Sequence, residues 1–75
     1  MDYSIPVRWE QREWLMYLGE WWVQGRYGGW WSSGNWEFDP AAQQWLQLPP
    51  YKWTYFRPES QVCTVLNDIK ESASA

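Results

Sequence analysis

The sequence predicts an α+β domain: a short N-terminal helix, an antiparallel meander of three or four strands, a C-terminal helix across one sheet face, and a tryptophan-rich core. Three observations carry this reading. Apolar residues alternate with period two in mid-chain, where Trp21, Val23 and Tyr27 interleave with Glu20, Gln24 and Arg26. Turn signals at Ser32-Ser33-Gly34-Asn35, Asp39-Pro40 and Pro49-Pro50 cut that region into strand-length pieces. Capping residues precede helix-forming stretches near both ends, at Ser4-Ile5-Pro6 and Pro58-Glu59-Ser60.

The elements follow in chain order. Ser4 offers a capping hydroxyl and Pro6 suits a first helical turn. The stretch "VRWEQREWLMYL" then continues with good helix formers, placing Trp14, Leu15 and Leu18 on one face, with Gly19 as the stop. A rival pattern overlaps it, because Leu15, Tyr17, Trp21, Val23 and Tyr27 alternate as a strand would. The reading adopted is helix to about Leu18 and strand from about Glu20. In that strand Trp22 breaks the alternation by sitting on the polar face. Ser32-Ser33-Gly34-Asn35 reads as a hairpin turn, which sets Trp31 and Trp36 across from each other as a cross-strand pair.

Around Asp39-Pro40 the residues Trp36, Phe38, Leu46 and Leu48 alternate, a second hairpin signal. Here Asp39, Pro40, Trp45, Leu48 and Pro49 fit the pattern D-P-x-x-x-x-W-x-x-L-P, with Gly28-Gly29 upstream. The stretch resembles the second half of a kelch repeat. A single blade cannot form a propeller, so the resemblance implies only two antiparallel strands joined by an Asp-Pro turn. "KWTYFR" reads as a further strand with Trp53 and Tyr55 on one face. After Pro58-Glu59-Ser60, the residues Val62, Val65, Leu66 and Ile69 match a helical i, i+3, i+4, i+7 stripe. A strand over "QVCTVL" is the rival, and helix is preferred on length. The expected core comprises Trp14, Leu18, Trp21, Val23, Phe38, Leu46, Trp53, Val65, Leu66 and Ile69.

A second resemblance rests on "YLGEWW". Gly19 and Trp21 fill the G-x-W that opens the first strand of lipocalins and fatty-acid-binding proteins, after a short helical turn. The likeness implies a tryptophan plugging a barrel end and a small apolar ligand. The chain has about half the length an eight-stranded ligand barrel needs, so a cavity would require two chains to combine.

Composition bounds the function. Leu, Ile, Val and Phe number 13 of 75 residues, a share low enough to suggest disorder on its own. Nine Trp, five Tyr and two Phe reverse that reading, since each ring brings about 150–250 Å² of largely apolar surface. One domain over residues 1–75 is expected, with 71–75 ("ESASA") a frayed tail. The net charge of −3 has the wrong sign for a phosphate-binding surface, so nucleic acid is disfavoured. Histidine is absent and Cys63 is the single cysteine, which removes Ser-His and Cys-His nucleophile systems, zinc clusters and internal disulfides. Glu37 and Asp39 lie two apart on one strand, where solvated side chains explain them more simply than a catalytic pair. No enzyme activity, cofactor or metal is expected. No span of about 20 apolar residues and no signal peptide is present, so a cytoplasmic protein is expected.

What remains is an interaction module, such as an accessory subunit, adaptor or inhibitor-like protein, binding a protein partner or a second copy. A domain of this size cannot bury sixteen rings completely, and Trp, Tyr and Arg are the residues of interface hot spots. Strand alternation assigns Trp22, one of the adjacent pair Trp30 and Trp31, and Trp45 to the side away from the core, with Arg26 and Tyr51 nearby, so that the partner-binding set is drawn from these six residues. The alternative function is a small-ligand domain for a sugar or flat apolar molecule.

Overall fold

The computed structural model describes residues 7–9 and 11–74. They form six strands and one helix: β1 (Val7–Trp9), β2 (Arg12–Tyr17), β3 (Glu20–Gln24), β4 (Trp30–Asp39), β5 (Gln44–Gln47), β6 (Thr54–Phe56) and α1 (Gln61–Ser74). All pairings are antiparallel, in the order β1-β2-β3-β4-β5, with β6 also on β4. Because β3 and β6 both pair with the first half of β4, they lie on its two opposite edges. The meander and the C-terminal helix are therefore as expected, but the strands outnumber the three or four predicted.

The N-terminal helix is the first correction. Val7–Trp9 and Arg12–Tyr17 are strands, while the proposed entry at Ser4-Ile5-Pro6 lies outside the described residues. The period-two pattern prevailed because a strand at 12–17 gives both of its faces an apolar layer. Leu15 points to the helix side and Trp14 to the other, while the backbone groups pair with β3. A helix there would have left that edge of β3 unpaired. The link to β3 is a two-residue turn, Leu18 (φ 54°) and Gly19 (φ 74°), between Tyr17 and its partner Glu20. Positive φ at both central residues is the type I′ geometry that matches strand twist.

The second correction concerns Ser32 to Asn35. These residues do not turn the chain. β4 runs through them with a bulge against β3, between the pairs Glu20–Asn35 and Trp22–Ser32. Gly34 has φ +90°, and a Cβ there would stand 3.0 Å from the Pro50 carbonyl oxygen, so the bulge needs glycine. Two buried hydroxyls hold it. Ser32 Oγ donates to Glu20 Oε1 (2.6 Å) and accepts from the Gly34 N–H (3.2 Å). Ser33 Oγ donates to the Trp21 carbonyl (3.0 Å) and accepts from Trp36 Nε1 (2.8 Å). Consequently Trp31 and Trp36 are not a cross-strand pair: Trp31 lies between Val23 and Tyr55, and Trp36 opposite Gln47.

The Asp-Pro hairpin forms as the kelch-like pattern implied. Asp39 Oδ1 accepts from the Ala41 and Ala42 N–H groups (3.0 and 3.4 Å), and β4 pairs with β5 from Asp39–Gln44 to Trp36–Gln47. The chain then passes a cis Pro49–Pro50 peptide to β6. The helix, not the rival strand, occupies 61–74, and the Ser60 carbonyl accepts from the Cys63 and Thr64 N–H groups at its start.

α1 covers one sheet face. Leu15, Trp22, Trp30, Cys63 and Leu66 form the buried core between sheet and helix, flanked by Tyr17, Phe56, Val62 and Ile69. A polar clamp fixes the helix: Asn67 Oδ1 accepts from Trp30 Nε1 (3.0 Å) and Gln24 Nε2 (3.4 Å), and Lys70 Nζ donates to Gln24 Oε1 (2.8 Å). Of the expected core, Val23 and Leu66 are buried. Trp14, Trp21, Val65 and Ile69 are half-buried, and Leu18, Phe38, Leu46 and Trp53 are exposed. Alternation correctly separated Trp21 and Val23 from Trp22. The helix lies over the Trp22 side, which reverses the assignment of core and outer face.

Candidate functional site: an uncovered aromatic face

The strand registers place one row of side chains across the sheet face opposite α1: Trp14 on β2, Val23 on β3, Trp31 on β4 and Tyr55 on β6. The bulge at Gly34 then shifts the alternation of β4 by one residue. Odd-numbered Trp31 and even-numbered Trp36 and Phe38 thus share this face. The rings on this face meet in three groups. Trp14 meets Trp53 (centroids 5.9 Å), Trp31 meets Tyr55 (4.9 Å), Trp21 meets Trp45 (5.3 Å) and Phe38 meets Trp45 (5.3 Å). Ring planes in these four pairs are inclined by 52–78°, so the surface is ridged and not flat.

Exposure separates the two faces. Trp22 and Trp30 are 2% and 1% exposed, whereas Trp31, Trp45 and Trp53 are 39%, 41% and 54% exposed. Val23 is buried although α1 packs on the opposite face; its cross-strand neighbours are Trp14 and Trp31. Among the described strand positions on this face, Arg12 alone is charged.

The indole N–H groups divide in the same way. On the helix side Trp22 donates to the Tyr17 carbonyl (2.9 Å) and Trp30 to Asn67. On the open face Trp36 reaches Ser33, but Trp21, Trp31, Trp45 and Trp53 donate no hydrogen bond to the described residues. The exposed rings thus combine an apolar body with an unused donor, the combination that favours Trp at interfaces.

Of the predicted partner-binding set, the structure brings Trp31 and Trp45 onto this face. Trp22 and Trp30 are core residues and cannot touch a partner. Their placement is corrected for the reason already given: alternation defines two faces without saying which one the helix takes. Arg26 and Tyr51 are exposed but make no hydrogen bond or ring contact with the described residues. Sequence reasoning missed Trp14, Trp21, Trp36, Trp53, Tyr55 and Phe38 as members of the face. The signal for Trp21 was present, since it alternates with Trp22. The signal for Phe38 was not, because the bulge resets the alternation.

Other chemistry is sparse. Cys63 is buried, and burial pushes its thiol above the ordinary value. The backbone at Trp30 works in the opposite sense, while the Glu59 carboxylate adds to the rise. No group of three His, Cys, Asp or Glu side chains suited to a metal occurs among the described residues, and no helix there is long and apolar enough to cross a membrane. Gly19, the first residue of the calycin-like motif, sits in a hairpin turn instead of at a helix-to-strand entry. Comparison with known protein families, curated proteins and solved structures returns no match.

Proposed function

We propose that this chain is a non-enzymatic interaction module that takes a protein partner on its uncovered aromatic face. One observation carries the reading: the sheet gathers Trp31, Trp45, Trp53, Tyr55 and Phe38, each more than a third exposed, on the face that α1 does not cover. Given about 150–250 Å² per ring side chain, these five leave roughly 400–500 Å² of ring surface in solvent, the size at which a contiguous patch on a small protein is commonly functional. The unused indole donors support a partner that brings acceptors such as backbone carbonyls. They also favour a second reading, a neutral sugar whose hydroxyls accept from the indoles while its C–H faces lie on the rings.

The test compares immobilised wild type with Trp45→Ala and Trp31→Ala, and with Tyr27→Ala on the β3–β4 connection. Partner retained by wild type and Tyr27→Ala but lost from the two tryptophan variants is the expected result. Equal retention by all four would remove the reading. Tryptophan fluorescence titrated with neutral oligosaccharides addresses the second reading, which requires a saturable shift abolished in Trp45→Ala.

A further inference from the structure

We infer that the partner on this face is a second copy of the chain, sheet against sheet about a two-fold axis. This rests on the interaction reading above and names its partner. The first support is charge. Each copy carries −3, yet Arg12 is the one charged residue among the described strand positions of the face, so two faces can meet without burying a charge pair. The second is shape. The rings are inclined to one another by 52–78°, giving ridges and slots that no planar ligand can match as a whole. Trp14 and Trp53 meet although β3 and β4 lie between β2 and β6, so the sheet curls toward this face, and the ridged ring surface of a second copy can interdigitate with it.

The third support is area. Roughly 400–500 Å² of exposed ring surface per copy, extended by half-buried Trp14, Trp21 and Trp36, approaches the about 800 Å² per partner of a standard specific interface. The five rings of two copies together offer roughly 800–1,000 Å², so with the half-buried rings the surface reaches the about 1,000 Å² that separates a specific interface from an incidental contact. The fourth is the thinness of the monomer's own core, a single layer around Leu15, Trp22, Trp30, Cys63 and Leu66. Oligomerisation is one of the devices by which domains this small gain stability, and a second sheet would supply the missing layer.

Sedimentation equilibrium of the purified chain over a dilution series tests this. The mass should rise from 9.1 kDa toward twice that value and stop there, because a two-fold interface closes at two copies. Trp45→Glu and Trp53→Glu place like charges on the uncovered face and should weaken association by more than about tenfold. Leu46→Glu, equally exposed but opposite Glu37 on the other side of the sheet, should associate as wild type does. Circular dichroism melts check that each variant is folded; Trp53 precedes β6, so its variant does not depend on strand pairing.

A wild type that stays at 9.1 kDa throughout, grows without limit, or dimerises regardless of the Trp45 and Trp53 changes would overturn the proposal. If the wild type stays monomeric while Trp45→Glu still loses a captured protein, the interaction reading survives and its partner is another chain. If it stays monomeric and a neutral oligosaccharide shifts its fluorescence, the face is a sugar platform. If the Trp45 and Trp53 variants change neither self-association nor capture, both readings fall together.

Discussion

At the scale of single residues, the indoles fall into two kinds that composition could not separate. Trp22 packs against Phe56 (centroids 5.2 Å) and donates to the Tyr17 carbonyl, so its removal leaves a cavity and takes one donor from that carbonyl. Trp22→Ala should cost about 3–5 kcal/mol, enough to unfold a domain of marginal stability, whereas Trp53→Ala should cost under about 1 kcal/mol. Urea denaturation of the two variants checks this, and similar midpoints would mean that the faces are wrongly assigned. Cys63 supplies a pH signature. Its thiol titrates higher when folded than the about 8.5 expected of an unfolded cysteine, because burial disfavours the thiolate. Below that unfolded value both states hold the proton and the contribution is complete. As pH rises the unfolded chain ionises first, so stability falls through the folded value. Wild type should therefore lose stability more steeply above about pH 8.5 than Cys63→Ala, measured as the pH dependence of the urea midpoint.

At the scale of elements, turns and bulges decide where the rings point. Leu18 occupies φ 54° in the β2–β3 turn with its side chain largely in solvent, so it bears left-handed strain with little burial in return. Leu18→Asn gives the turn its preferred Asn-Gly pair and should stabilise the protein by about 1 kcal/mol. A lower melting temperature in this variant would contradict the turn geometry. The bulge in β4 depends on Ser33, whose hydroxyl both donates to the Trp21 carbonyl and accepts from Trp36. Ser33→Ala strips two partners at once and should cost about 1–3 kcal/mol. It should also loosen Trp36, seen as greater accessibility of that indole to iodide quenching.

At the scale of the whole molecule, one sheet presents apolar side chains on both faces, while among the described residues a single helix, α1, covers one of them. The uncovered face therefore persists in the monomer whatever binds there. This predicts two classes of indole N–H in dilute solution. Those of Trp22, Trp30 and Trp36, each with a protein acceptor, should exchange slowly with solvent, and those of Trp21, Trp31, Trp45 and Trp53 quickly. Solvent-exchange NMR on assigned indoles reads this out, and uniform protection would show that something covers the second face even at low concentration.

Much of the architecture was legible in the residues. The strand at Glu20–Gln24, the Asp39-Pro40 hairpin and the C-terminal helix after Ser60 follow from alternation, turn chemistry and a helical stripe, all of which are local. The separation of Trp22 from Trp21 and Val23 was equally legible, because it needs only the two-residue strand period. Three features were not. Residues 12–17 carry helix and strand patterns together, and the long-range pairing with β3 settled the contest. Ser32-Ser33-Gly34-Asn35 has the composition of a turn, and only its neighbours on β3 and beyond Pro49 hold it as a bulge. Finally, the sequence alone determined that the rings fall into two sets on opposite faces, but not which set is core. That was decided when α1, held by Asn67 and Lys70, docked over Trp22 and Trp30, because an alternating strand specifies its two sides without specifying what will pack on either.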